Sequence, residues 1–206
     1  MLTNQERRSI TILGIDPGLR HTGFGIIEKI ENKLFPIAFG VINSGEGALS
    51  DRLAKIFGDV RKVVQDYQPD LCAIEIVFVN INPKSSLALG QARGAAICAL
   101  SESNKKITEI TALQIKQRVT GHGRATKKQI KKMVSRFLRL DVNTNGSKKL
   151  TNDSADALAC AIACAMQLPI DYQFENYPKQ NNNPLSIFKQ QHRRRIATRW
   201  KSVDIQ

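Results

Sequence analysis

This chain of 206 residues predicts an α/β fold, a mixed five-stranded sheet with helices on both faces. Three observations carry that reading. The opening stretch reads as strands joined by short turns. The rest alternates helical and strand patterns, which is how layered α/β domains are written in sequence. Hydrophobic residues make up 42% of the chain, enough for a real core. The expected organisation is one domain over residues 1–167 followed by a basic extension over 168–206.

Ser9–Ile15 is an apolar strand ended by the turn signal Asp16-Pro17-Gly18. Thr22–Ile30 and Lys33–Ser44 follow as strands, with Glu31-Asn32 as a tight reversal. Leu49, Leu53, Ile56, Val60, Val63, Val64 and Tyr67 recur at helical spacing, so Leu49–Gln68 is an amphipathic helix begun by Ser50-Asp51 and stopped by Pro69. Asp70–Val79 is an almost unbroken apolar run and suits a buried central strand. Ser85–Ser103 is a helix rich in alanine and glycine, whose small side chains allow another backbone to approach. Ile107–Ile110 is a short strand, followed by helices over Ala112–Thr120 and Thr126–Leu140. Asp141–Leu150 reads as a loop and Thr151–Met166 as an Ala/Cys-rich helix. Leu168–Gln206 reads as an appendage without a core of its own.

The net charge is +13, and its placement is informative. Met1–Ser103 carries 11 basic and 11 acidic residues, whereas Asn104–Arg139 carries 11 basic residues against Glu109 alone. Leu168–Gln206 has 7 basic and 3 acidic residues. Such density points to a polyanionic partner, nucleic acid above all. No apolar run approaches the roughly 18–20 residues needed to cross a bilayer, and Met1–Ile12 lacks the apolar core of a secretory signal. An intracellular, cytoplasmic protein is therefore expected. Cys72, Cys98, Cys160 and Cys164 lie in apolar runs without a C-x-x-C pair and read as reduced core thiols. Neither they nor the scattered histidines support a zinc site.

Several carboxylates stand where burial makes charge expensive. Asp16 ends an apolar strand, Glu75 interrupts another, and Asp153 and Asp156 share one face at the start of an apolar helix. Singly, an acid can be a turn residue or a helix cap, and Glu75 could pair with Arg93 or Lys116. Together they could form one pocket of oxygen donors for hard divalent cations. Two such ions about 4 Å apart would clamp an in-line phosphodiester displacement. With the basic segment to hold a polyanion, the expectation is a metal-dependent nuclease.

Five motifs occur in order: ILGIDPGLRHTGFG (Ile12–Gly25), AIEIVF (Ala73–Phe78), LGQARG (Leu89–Gly94), IKQRVTGHGRATK (Ile115–Lys127) and DSADALA (Asp153–Ala159). Together they resemble the RuvC-type crossover junction endodeoxyribonucleases, the bacterial Holliday junction resolvases, over roughly Ile10–Gln167. The resemblance implies a ribonuclease H-like fold and an acidic, metal-binding tetrad of Asp16, Glu75, Asp153 and Asp156. It also implies Mg²⁺ as cofactor, two ions per site, and symmetric nicking of two opposed strands at a four-way DNA junction during recombination and repair. Phe78 matches an aromatic residue that stacks into the opened junction, although it could equally be a core residue at a strand end. Lys116, Arg124 and Lys127 lie in the basic motif that would meet the DNA. A homodimer formed partly through Ser85–Ala99 is implied, as is a RuvA–RuvB branch-migration complex as partner.

Three features depart from the family pattern. Asp141–Asn152 is longer, Ile81 replaces polar or basic character, and Leu168–Gln206 lacks a counterpart in compact members. The alternatives are another ribonuclease H-like nuclease with a different substrate, or a junction-binding protein without catalysis. A sugar-kinase or actin-like ATPase would need a second glycine-rich phosphate loop, which the chain lacks.

Overall fold

The computed structural model describes residues 9–78, 82–140 and 150–168. The expectations at Ile81, over 141–149 and over 169–206 lie outside the described residues. Within them, the strands are β1 (Ser9–Asp16), β2 (His21–Ile30), β3 (Lys33–Asn43), β4 (Leu71–Ile76) and β5 (Lys106–Thr111). The helices are α1 (Leu49–Tyr67), α2 (Pro83–Ser101), α3 (Ala112–Thr120), α4 (Lys127–Phe137) and α5 (Asn152–Gln167).

The sheet order is β3-β2-β1-β4-β5. The three opening strands form an antiparallel meander, because Glu31 takes the left-handed φ of 54° that a tight reversal needs. β4 and β5 then add parallel to β1, each reached through a helix. The expected buried central strand is β4, paired on both sides between β1, the middle strand of the sheet, and β5. Among the described residues the expected 70–79 strand pairs only over Leu71–Ile76.

Side chains alternate across each strand, so the core has two layers. Ile10, Ile12, Ile27, Leu71, Ala73 and Ile110 face the layer containing α3, α4 and α5. Leu13, Ile15, Phe24, Ile26, Cys72 and Ile74 face the layer containing α1 and α2. Helices therefore cover both faces, as expected.

Local chemistry sets the helix starts. Thr111, Thr126 and Thr151 each accept from the backbone N–H three residues on, in reciprocal capping boxes that begin α3, α4 and α5. α1 starts at Leu49 as expected, but Ser50-Asp51 do not cap it. Both residues lie inside the helix, and Ala48 caps it without a side-chain hydrogen bond. Cys72, Cys160 and Cys164 are buried free thiols, but Cys98 is exposed and corrects the core assignment. Helical periodicity turns it away from Ala92, Ala96 and Ala99, which face the core.

α5 lies unusually close to the sheet. A Cβ on Gly14 would sit 2.2 Å from the carbonyl oxygen of Ala157 and 2.6 Å from the nitrogen of Ala161. One on Gly23 would sit 2.1 Å from the carbonyl oxygen of Asp153, and one on Gly25 would meet Leu158 at 2.7 Å. No side chain fits between these backbones. Gly14→Ala is expected to destabilise the fold by about 1–3 kcal/mol or more, since a packed interior cannot absorb the atom without moving backbone. Gly58, exposed within α1 with nothing within 4 Å of its Cβ position, is the control. Gly58→Ala should instead stabilise by roughly 0.5–1 kcal/mol, both read from urea midpoints.

Candidate active site

The register of β1 and β4 brings the first two acids together. Gly14 pairs with Ala73 and Ile15 with Ile74, the last step of the ladder, so Asp16 and Glu75 each follow directly after it on neighbouring strands. By alternation both point to the layer that holds α5. The chain turns sharply after Asp16, and Thr22 Oγ1 donates to the Gly18 carbonyl at 2.7 Å. α5 enters the same end of the sheet with its N-terminus, where Asp153 stands in the first turn and Asp156 one turn further. A helix N-terminus favours such acids, and the glycine contact at Gly23 sets Asp153 against β2.

The four acids affect one another. Burial, then the charges of Glu75, Asp156 and Asp153, pushes the Asp16 carboxyl from 3.8 up to about 8, against an opposing pull from Lys127. Burial raises Glu75 as well, with Asp156 adding and Lys127 and Lys116 opposing. Asp156 is raised by burial despite an ion pair with Lys127 Nζ at 3.1 Å. The same pair raises Lys127. Lys127 is 69% exposed, so the pair contributes at most about 1 kcal/mol. Among the described residues Asp16, Glu75 and Asp153 make no ion pair.

This donor set suits a hard divalent cation: several carboxylate oxygens, negative charge in excess, and one mostly exposed lysine as compensation. No three of the described acidic, histidine or cysteine side chains are already gathered around one point. Side-chain rotation would therefore have to accompany cation binding.

The proposed pairing of Glu75 with Arg93 is corrected. Arg93 Nε donates to the Glu75 backbone carbonyl at 3.0 Å, and its Nη2 forms an ion pair with Glu109. Arg93 thus ties the end of β4 to β5 and leaves the Glu75 carboxylate to the pocket. Lys116 is near enough to lower Glu75 and Asp156 electrostatically, without an ion pair to either. Phe78 lies two residues beyond β4 and is 66% exposed, which removes the core alternative. Arg124 is exposed in the turn between α3 and α4. α4 opens with Lys127 and Lys128 and has no acid in its first turn. Lysines there oppose the helix dipole, and together with it they present a strongly positive end to the pocket.

Sequence reasoning missed Arg52. Its Nη2 donates to the Leu19 carbonyl at 3.1 Å and its Nε to Ser44 Oγ at 3.2 Å, while Ser44 Oγ also bonds the Leu19 carbonyl. The turn that follows Asp16 is thereby held from α1. No local pattern marks a contact made across 33 residues.

The raised Asp16 carboxyl makes a signed prediction. The native state holds this proton more tightly than the unfolded chain, so the charge lowers stability increasingly from about pH 4 to about pH 8. Asp16→Asn should therefore raise the melting temperature at pH 8, by roughly 2–4 °C for each kcal/mol relieved, and the gain should vanish near pH 4. A divalent cation should stabilise the native protein and leave the variant nearly unmoved. Differential scanning calorimetry at both pH values, with and without Mg²⁺, checks this.

Comparison with known proteins agrees with this geometry. A family model described as crossover junction endodeoxyribonuclease RuvC matches residues 12–164. The crossover junction endodeoxyribonuclease RuvC of Thiobacillus denitrificans is 56% identical over 154 residues, covering 75% of this chain and 86% of its own length. That of an Azoarcus species is 49% identical, covering 75% and 81%. Thermus thermophilus RuvC in complex with a Holliday junction substrate superposes with a TM-score of 0.67 at 28% identity, covering 76% of this chain and 93% of that one. The yeast mitochondrial Holliday junction resolvase Ydc2, 12% identical with a TM-score of 0.56, shares the fold, covering 75% and 78%. The sheet is the expected ribonuclease H-like one, and the matched span contains Asp16, Glu75, Asp153 and Asp156. The chain belongs to the RuvC family of crossover junction endodeoxyribonucleases.

Proposed function

We propose that this protein resolves four-way DNA junctions in the bacterial cytoplasm, hydrolysing a phosphodiester in each of two opposed strands, with Asp16, Glu75, Asp153 and Asp156 as its catalytic acids. The observation that carries this reading is the convergence of four acids at one end of the sheet with too little positive charge to balance them. The four carboxylates would hold divalent cations, Mg²⁺ by chemistry and two by the number of donors. Bound there, the ions would polarise the scissile phosphate and acidify a water.

The remaining work falls to the chain's own residues. Lys127 lies at Asp156 with most of its side chain in solvent, so its ammonium can meet a phosphate arriving at the acids. Lys116 adds positive charge on the Glu75 side, and Arg124, between α3 and α4, extends it. The Phe78 ring, three residues from Glu75 and so within about 10 Å of chain, can stack on a base at the opened crossover. Residues 1–167 would form the nuclease domain, and 168–206 a basic extension. A homodimer supplies two sites for two strands. The outer face of α2 supports it, because Leu87 is 65% exposed and the Cβ positions of Gly90 and Gly94 are open. A RuvA–RuvB branch-migration complex fits as the source of the junction.

Asp16→Asn and Glu75→Gln should each reduce nicking of a synthetic four-way junction in Mg²⁺ by about 100-fold or more while binding persists. Nicking at the native rate by either variant would remove the catalytic assignment. Comparing junction, linear duplex and RNA–DNA hybrid tests the substrate. Lys116→Ala should flatten the slope of log affinity against log salt by about one, the loss of a single phosphate contact, as read by fluorescence anisotropy.

A further inference from the structure

At the end of the sheet opposite the acids, the β2–β3 turn and the C-terminal ends of α4 and α5 enclose an open groove of about 640 Å³. Its rim carries Lys29, Lys33, Arg136 and Arg139. Lys29 Nζ donates to the Ala165 carbonyl at 3.0 Å and so is occupied by the end of α5. Among the described residues Lys33, Arg136 and Arg139 make no ion pair. The floor is apolar: Leu34, Met133 and Phe137 pack against the core from below, and Met166 is 41% exposed within it. Uncovered apolar surface inside a cationic rim asks for an occupant that is both apolar and acidic.

We propose that this groove is the docking site of the chain's own segment Ile170–Tyr177. α5 ends at Gln167, and the described residues end with Leu168, which itself lines the groove. Ile170 is thus at most about 7 Å of chain away, and Asp171 about 11 Å, so both are within reach of the rim. The segment reads IDYQFENY, with two carboxylates, three aromatic rings and no cation. Residues 178–206 carry 7 basic residues against Asp204 alone, so in the sequence the acids are segregated into the part of the segment next to Leu168. Ile170, Tyr172 and Phe174 alternate with Asp171, Gln173 and Glu175, a pattern that in extended chain separates the apolar and aromatic side chains from the two acids and the amide. DNA phosphates would satisfy the rim and leave the floor bare. The segment matches both, and tethering makes its effective concentration high.

Hydrogen exchange on the full chain tests this. Tyr172→Ala/Phe174→Ala and Asp171→Lys/Glu175→Lys should each speed exchange of amides in residues 33–35 and 133–139 about tenfold or more, without affecting amides of β1 and β4. Arg136→Glu/Arg139→Glu should do the same. Combining the two charge reversals should restore protection, as a double-mutant cycle requires of a direct contact. Exchange unchanged by the segment variants, or a combined variant no better protected than either parent, overturns the proposal. So does protection of the groove that appears only on adding four-way junction DNA, which would make the rim a DNA surface.

Discussion

Gly14, Gly23 and Gly25 let α5 lie against β1 and β2 with no side chain between the backbones, and the acidic end of the sheet depends on that contact. β1 and β4 alone could place Asp16 beside Glu75. The second pair of acids comes from a different element, beginning 78 residues after Glu75 and 137 after Asp16. It reaches the first only because a helix of alanines and cysteines can settle directly on glycine. A packed interior tolerates no extra methyl there, so the same feature that fixes α5 in the core fixes Asp153 and Asp156 at the pocket.

The pocket that results is electrostatically unfavourable to the resting fold. Burial and mutual repulsion raise Asp16, Glu75 and Asp156 together, and the single ion pair to Lys127 does not reverse the shift on Asp156. A fold selected only for stability would replace these acids, because uncompensated buried charge is among the costliest features of an interior. Their presence is understandable if cations and a phosphate complete the site, which is the basis of the proposed function. Arg93 and Arg52 serve this arrangement at one remove. Each bonds a backbone carbonyl, at Glu75 and at Leu19, and so holds the strand ends that carry the acids.

Charge in this protein is thus arranged by the ends of the sheet rather than spread evenly. At one end, the lysine-rich start of α4 faces the acids. At the other, cations at the ends of β2 and α4 surround an apolar groove beside the end of α5. The basic character of Asn104–Arg139 therefore divides between two surfaces. Lys116 and Lys127 belong to the acidic end, while Arg136 and Arg139 belong to the groove. Their nearness in sequence conceals this, because α4 runs from one end to the other.

The sequence by itself determined the fold class, the strand and helix order, and the identity of the four acids. Alternation, helical spacing and turn residues are local signals, and an acid inside an apolar run such as Glu75 announces itself without a structure. Element ends were less legible. α1 is capped by Ala48 rather than by the better capping residues Ser50 and Asp51, since packing of Ile56 and Val60 against the sheet outweighs one cap. Only the tertiary structure decided that Arg93 takes the Glu75 carbonyl instead of its carboxylate, that Phe78 is exposed, that Cys98 leaves the core, and that three glycines face α5. Each of these is a contact, or the lack of one, between residues far apart in the chain. Such contacts are set by how whole elements pack, and no local pattern encodes them.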